Sequence, residues 1–291
     1  MTQPLTTLLV VGATGMLGNS VLRFFANSPG FRVWGSARTP SLLRYMPSEL
    51  HSRIVTGIDA NSTDSLQRLF LDTRPDIVIN CIGLVKQLPE ADDPLCAIPI
   101  NTILPHRLAQ ICALIGARLI HVSTDCVFSG ITGNYQEDDI PDATDLYGRT
   151  KLIGELYYPH SITLRTSIIG HELCSSKSLI NWFLSQSGEV KGYTNAVFSG
   201  LTTVEFARIV RDYVLPNADL HGLYHVSSEP ISKYDLLRLV GQEYASSAVL
   251  VPTNLPVINR SLDSSRFRKA TGYIPPEWPD LIRSMRFHSL P

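Results

Sequence analysis

Thr7-Leu-Leu-Val-Val-Gly-Ala-Thr-Gly-Met-Leu-Gly18 is the stretch that decides the fold. The apolar, partly β-branched run Thr7–Val11 reads as a strand, and Ser20-Val-Leu-Arg-Phe-Phe25 has helical spacing. Strand, glycine turn, helix is the context in which these glycines carry meaning. Gly12 permits a tight turn, Gly15 lets backbone amides approach a pyrophosphate, and Gly18 lets helix and strand pack closely. A dinucleotide would place its phosphates at the helix N-terminus, where unpaired amides and the macrodipole favour anions. Gly12, Thr14, Gly15, Met16 and Leu17 are therefore the expected phosphate-binding strip. A glycine-rich β–α turn without a ligand is the plain alternative.

Working outward, Phe31–Gly35 is a second strand, and its end bears on which dinucleotide binds. An acidic residue there grips a ribose 2′-hydroxyl, whereas Arg accommodates a 2′-phosphate. The chain offers Ser36-Ala-Arg38 and no acid, which favours NADPH, with NADH as the other candidate. A third strand, Arg53–Ile58, ends at Asp59-Ala60, where the Asp59 carboxylate either reaches the adenine or begins a turn that caps the helix around Ser65–Phe70. Asp76–Gly83 is a fourth strand, whose three consecutive β-branched residues Ile77-Val78-Ile79 make the apolar run that suits a parallel strand covered on both faces. Its exit, Cys81-Ile82-Gly83, would lie against a cofactor. The polar, proline-punctuated segment Leu84–Pro99 suits an active-site loop and supplies Val85 and Lys86 as substrate candidates. A helix over Thr102–Ile115 follows, with Pro105 in its first turn.

A fifth strand, Ala117–Val122, delivers Ser123-Thr124-Asp125 at its carboxyl end, where open α/β sheets bind ligands. Tyr147 and Lys151 are four apart on a helix spanning Leu146–Leu156, so both project from one face. An ammonium beside a phenol favours the phenolate and makes the hydroxyl a better proton donor near neutral pH. A Tyr–Lys pair on a helix is more often only surface, so its weight comes from what surrounds it. Ser161–Ile169 is a sixth strand. The alternation predicts an α/β, Rossmann-type doubly wound parallel sheet. Beyond Gly170 the regularity breaks: Leu179–Leu184, Val204–Val214 and Ser232–Tyr244 read as helical, Gly192–Gly200 as extended, and Gly222–Val226 as a strand. The Pro-, Ser- and Arg-rich tail from Pro252 suits a small lobe within one compact unit. The expected division is residues 1–170 plus 201–226 for the dinucleotide and 171–200 plus 227–291 for a discontinuous C-terminal substrate lobe.

The composition excludes several functions. With 44% hydrophobic and 18% charged residues and a net charge of −1, the chain reads as soluble and carries no basic excess for nucleic acid or anionic membrane. No apolar run is long enough to span a bilayer, and the first residues lack the basic start of a secretory signal. The five cysteines form no Cys-x-x-Cys pair, which fits reduced thiols in a cytoplasm better than a disulfide framework or a zinc site. The His spacings offer no metal site.

The assembled motifs resemble the extended short-chain dehydrogenase/reductases, and more closely the dTDP-4-dehydrorhamnose reductase group within them. The matching pieces are Gly12-x-x-Gly15-x-x-Gly18, Asp76-Ile-Val-Ile-Asn80, Ile100-Asn101, Val122-Ser-Thr-Asp-Cys-Val-Phe128, Tyr147-Gly-Arg-Thr-Lys-Leu-Ile-Gly-Glu155, Leu164-Arg-Thr-Ser167 and Arg260-Ser-Leu-Asp-Ser-Ser265. The resemblance implies that Thr124 hydrogen-bonds a substrate carbonyl, that Tyr147 donates a proton to its oxygen, and that Lys151 binds the nicotinamide ribose and depresses the Tyr147 pKa. It adds Asn101 to the cofactor contacts. The implied reaction is reduction of a nucleotide-activated 4-keto-6-deoxy sugar by NAD(P)H for cell-surface polysaccharide synthesis, in a protein compatible with a homodimer. The chain departs from the group at two positions: Ile168 stands where Trp is usual, and Cys126 where Tyr is usual. The sugar pocket is therefore expected to differ, with Asp125, Cys126, Trp182 and the pyrophosphate candidate Arg260 around it. Two other readings stand beside this one. An epimerase would hold NAD tightly; a dehydratase is disfavoured because Cys126 replaces the Glu of Thr-Asp-Glu. A regulatory subunit would keep the fold without catalysis, as the β subunit of methionine adenosyltransferase does.

Overall fold

Residues 6–11, flanked by a loop and a glycine turn, form the central strand of a seven-stranded sheet in a computed structural model that describes residues 5–86 and 88–289. The elements in chain order are β1 (Thr6–Val11), α1 (Met16–Ala26), β2 (Phe31–Ala37), β3 (Ile54–Thr56), α2 (Thr63–Thr73), β4 (Ile77–Asn80), α3 (Pro94–Ala97), α4 (Leu104–Ile115), β5 (Arg118–Thr124), α5 (Leu146–Ile153), β6 (Ser161–Thr166) and β7 (Ile168–Ile169). Then come α6 (Leu179–Leu184), β8 (Gly188–Tyr193), β9 (Ala196–Phe198), β10 (Leu201–Thr202), α7 (Thr203–Ile209), β11 (Gly222–His225), β12 (Ile231–Ser232), α8 (Lys233–Tyr244), β13 (Ala248–Thr253), β14 (Ile258–Asn259), α9 (Ser265–Thr271) and α10 (Trp278–Phe287).

The large sheet has the order β11-β6-β5-β4-β1-β2-β3. β1 pairs in parallel with β2 and β4, β2 with β3, and β4 with β5. The reversal of strand order beside β1 is the switch point at which doubly wound sheets bind ligands. The strands are apolar on both faces because helices cover both: Leu9, Val11 and Val78 lie in one core with Leu66 and Leu69 of α2 and Leu104 and Leu108 of α4. Ser62 caps α2 by accepting from the Ser65 amide at 3.2 Å, and Gly116 ends α4 in the left-handed region.

Contacts divide the chain into two compact units. The first takes in the chain to Ser123, then Asp145–Leu164 and Asp219–Leu223; the second takes in Thr124–Thr144, Arg165–Ala218 and the chain from Tyr224 on. The second unit holds the small sheets β10-β7, β12-β9-β14 and β13-β8. Its core joins Ile180 and Phe183 of α6 to Leu236 and Val240 of α8 and Leu281 and Ile282 of α10. The tail has more regular structure than its Pro and Ser content suggests. β13 pairs with β8 in parallel, and α10 buries Trp278, Leu281, Ile282 and Met285 at helical spacing. The predicted irregular stretch before α4 is also more ordered, with α3 and a π-helical turn over Ile98–Ile103.

Candidate active site

The first unit carries the glycine turn. Gly12 sits at φ +89°, and a Cβ there would come within 2.6 Å of Ile82, so both conformation and space require glycine. A Cβ on Gly18 would lie 2.0 Å from the Gly12 carbonyl oxygen, which is the close helix–strand packing expected of that position. Gly15 differs: it is exposed, and a Cβ there would meet nothing nearer than 3.5 Å. It is the N-cap of α1, makes no side-chain cap, and is followed by a first turn without an acidic residue. The leading amides of an eleven-residue helix are thus left to an external acceptor. Thr14 and Met16 are half-buried at this lip, and Leu17 is buried.

Ser36 is buried, and its hydroxyl accepts from the Gly12 amide at 3.1 Å, so it shapes the turn from behind. Arg38 stands exposed one residue past β2. Asp59 is exposed and accepts from the Asn61 amide at 2.9 Å, the turn-forming role; Ala60 next to it is half-buried. After β4, Asn80 accepts from the Ile82 amide at 3.1 Å. Cys81 and Ile82 are half-buried, Gly83 is exposed, and a Cβ on Gly83 would meet only Asn101 Oδ1 at 3.5 Å. Asn101 accepts from the Leu84 amide at 2.9 Å, donates back to the Leu84 carbonyl at 3.2 Å and donates to Thr150 Oγ1 at 3.3 Å. Its carbonyl also presses on Gly154, where a Cβ would approach within 2.0 Å. Its side chain is spent on holding the loop after β4 and the helix α5.

Asp145 starts α5 by accepting from the Gly148 amide at 2.8 Å, and Lys86 bridges to the same carboxylate at 2.8 Å. Lys86 is thereby engaged within the protein, while Val85 is exposed. In the first turn of α5 Tyr147 is half-buried, and one turn further on Lys151 is buried. The Lys151 ammonium donates to the Val122 carbonyl at 2.7 Å. Burial lowers its pKa to about 8, with the Glu155 carboxylate pulling the other way. Glu155 in turn accepts from Ser123 Oγ at 2.6 Å. Among the described residues the ammonium uses one of its three donors; two remain for a ligand. Beside it, His121 Nδ1 accepts from Asn80 Nδ2 at 3.2 Å, and burial first, then the Lys151 charge, holds its pKa well below the ordinary value. A neutral His121 keeps a second cation away from Lys151.

The second unit begins at Thr124, the last residue of β5. Its hydroxyl donates to Asp125 Oδ1 at 3.2 Å and accepts from the Cys126 amide at 3.1 Å. Asp125 is buried, and burial raises its carboxyl pKa against the pull of Lys233 and Arg260. Burial pushes the Cys126 thiol up to about 12, so it stays protonated. Arg260 donates from Nε to the Phe128 carbonyl at 2.8 Å. Trp182 is 38% exposed, off the core that Ile180 and Phe183 enter. The residue that sequence reasoning passed over is Lys233, whose charge is felt by both Asp125 and Cys126. Its signal was present: a lysine at the first position of a helix, directly after a Ser cap, opposes the macrodipole.

A profile of the family described as RmlD substrate binding domain matches residues 6–285. The "Methionine adenosyltransferase 2 subunit beta" of Xenopus laevis is 32% identical over 155 residues, which cover 53% of this chain and 43% of that protein. The "dTDP-4-dehydrorhamnose reductase" of Aggregatibacter actinomycetemcomitans is 24% identical over 309 residues, covering 97% of this chain and 99% of the relative. Among solved structures, a Bacillus anthracis dTDP-4-dehydrorhamnose reductase in complex with NADP superposes with a TM-score of 0.79 at 19% identity, over 98% of this chain and 100% of that one. That likeness establishes the Rossmann-type fold. No helix among the described residues is long and apolar enough to cross a membrane.

Proposed function

We propose that this chain, which belongs to the RmlD substrate binding domain family, reduces the keto group of a nucleotide-activated 4-keto-6-deoxy sugar with NADPH, in the supply of cell-surface polysaccharide precursors. The observation that carries the reading is Lys151: a buried ammonium one helical turn after Tyr147, with two donors unspent. The dinucleotide fits the chain because the α1 amides are uncapped and Gly15 and Gly83 leave open backbone. Gly12–Leu17 would receive the pyrophosphate, Arg38 the 2′-phosphate, and Lys151 the hydroxyls of the nicotinamide ribose. When bound, the nicotinamide supplies hydride to the keto carbon.

The protein's own part is the oxygen. Tyr147 gives its phenolic proton to the carbonyl oxygen as hydride arrives at carbon, so the ketone becomes a secondary alcohol and NADPH becomes NADP⁺. Lys151, while protonated, stabilises the phenolate left behind. Thr124, whose hydroxyl donates to Asp125, is by resemblance to the family the second donor to that oxygen, where negative charge develops.

The test is NADPH oxidation with dTDP-4-dehydrorhamnose and other 4-keto-6-deoxy nucleotide sugars. Tyr147→Phe is expected to lower turnover by about 10²–10⁴-fold, the usual worth of a positioned general acid. Unchanged turnover in that variant, or no oxidation with any of these sugars, overturns the proposal. A regulatory role is the second reading, favoured by the 32% identity to a protein named as a subunit. A partner enzyme co-purifying with a chain that turns nothing over would establish it instead.

A further inference from the structure

Glu155 has no task in the reaction above, and its setting calls for one. It lies two residues past the end of α5, where the partial negative charge of a helix C-terminus disfavours a carboxylate, and it is buried. A carboxylate so placed needs donors. One is the hydroxyl of Ser123, also buried, which donates to Glu155 Oε1 at 2.6 Å, a length usual for a hydroxyl on an ionised carboxylate. A Ser–Glu pair in a core is often no more than a satisfied contact. This one is distinguished by what stands on either side of it.

On the strand side, Ser123 lies between Val122, whose carbonyl accepts from the Lys151 ammonium at 2.7 Å, and Thr124, the second donor in the reaction proposed above. β4 ends at Asn80, opposite His121, so these three residues run on past that neighbour. Ser123 is also the last residue of the first compact unit before the chain passes to the second. On the helix side, Lys151 and Glu155 are four apart, and both reach the end of β5. The helix segment gives a donor to the Val122 backbone and takes one from the Ser123 side chain. Two bonds of opposite sense to adjacent residues hold the strand end against both sliding and turning; one alone leaves a pivot.

We propose that Glu155 is a positioning residue: through Ser123 it fixes the end of β5, so that Thr124, the next residue, presents its hydroxyl to the carbonyl oxygen in one orientation. Glu155 itself touches neither substrate nor cofactor. The carbonyl oxygen gains negative charge only as hydride arrives, so a donor held in place there speeds the chemical step more than it strengthens binding. The identity of that oxygen rests on the reductase reading; the hold on Thr124 does not.

The full chain is assayed with NADPH and dTDP-4-dehydrorhamnose and, without ligands, by amide hydrogen exchange at Cys126, whose N–H donates to Thr124 Oγ1. Ser123→Ala is expected to lower kcat about ten- to hundredfold, the cost of a displaced catalytic donor. KM for the sugar and for NADPH should stay near wild type, and exchange at Cys126 should quicken. In a Thr124→Val background the same change should lower kcat less than about twofold, because residues that act through one another are not additive. Glu155→Gln and Glu155→Met both remove the charge that Lys151 feels, but only Gln keeps an acceptor for Ser123. Gln should therefore retain more turnover and slower exchange than Met. Equal kcat in wild type and Ser123→Ala, an equal loss with and without the Thr124 hydroxyl, or Gln no better than Met overturns the proposal. If Ser123→Ala does not fold, Ser123→Cys, a weaker donor of nearly the same size, is read in the same assays. Wild type that reduces no ketone sinks the reductase reading; exchange at Cys126 then decides the hold on Thr124 alone, and exchange unchanged by both Ser123→Ala and Glu155→Met sinks that too.

Discussion

Replacing Lys151 by Met should separate stability from activity in opposite directions. The side chain is 6% exposed, and burial lowers its pKa from 10.5 to about 8. At roughly 1.4 kcal/mol per pH unit, keeping that lysine protonated costs the folded state about 3 kcal/mol. The attraction of Glu155 is already contained in that figure. Methionine has a similar length and no charge, so the cost disappears, less about 1 kcal/mol for the lost hydrogen bond to the Val122 carbonyl. The variant should therefore gain about 2 kcal/mol in urea unfolding at neutral pH without cofactor, while losing turnover. The pH dependence gives the sign independently. Between about pH 8 and 10.5 the unfolded chain holds the Lys151 proton and the folded chain does not, so wild-type stability rises through that window. The gain from methionine is full below pH 8 and gone above 10.5. Activity moves the other way, with wild-type kcat/KM falling as pH rises through about 8. A variant that is destabilised yet active, or a wild-type stability curve without the rise, would refute the reasoning.

Two further outcomes test the cofactor side. Arg38→Ala should reduce the preference for NADPH over NADH by about ten- to hundredfold, the worth of charged hydrogen bonds to a phosphate, measured as the ratio of kcat/KM values; an unchanged ratio removes Arg38 from the 2′-phosphate. Asn101→Ala breaks both bonds to the Leu84 backbone and the one to Thr150. It should cost about 2 kcal/mol in urea unfolding and speed hydrogen exchange at the Leu84 amide, and persistent protection there would contradict the role given to Asn101.

Local pattern made the sheet legible, because β1, β4 and β5 are buried on both faces and so are written as apolar runs. The glycine turn was legible because Gly18 is forced by the Gly12 carbonyl six residues away and Gly12 by its own φ of +89°, although the space at Gly12 is closed by Ile82 of the distant loop after β4. α6 was read with its bounds, since Ile180 and Phe183 set its buried face. The tail was harder to read. β13 is an exposed strand, half-buried at best along its length, so burial imposes no clean alternation, and it finds its partner β8 some sixty residues away. The site divides similarly. Tyr147 and Lys151 are one helical turn apart and visible as a pair. Asn101 and Thr150 are 49 positions apart, and only the folded chain brings their side chains together at 3.3 Å. Lys86, read as a substrate contact, is held by Asp145, a long-range pairing that no local pattern announces.

Asn101 binds the loop after β4 and the helix of Tyr147 and Lys151 into one mechanical piece, through Leu84, Thr150 and the close approach at Gly154. A change at any one of these points shifts the other two. The machinery that handles the carbonyl can then vary little without failing as a whole. Cys126 and Ile168 are bound by no such tie, so on the function proposed above a descendant of this chain could change at them and keep that mechanical piece as it was inherited.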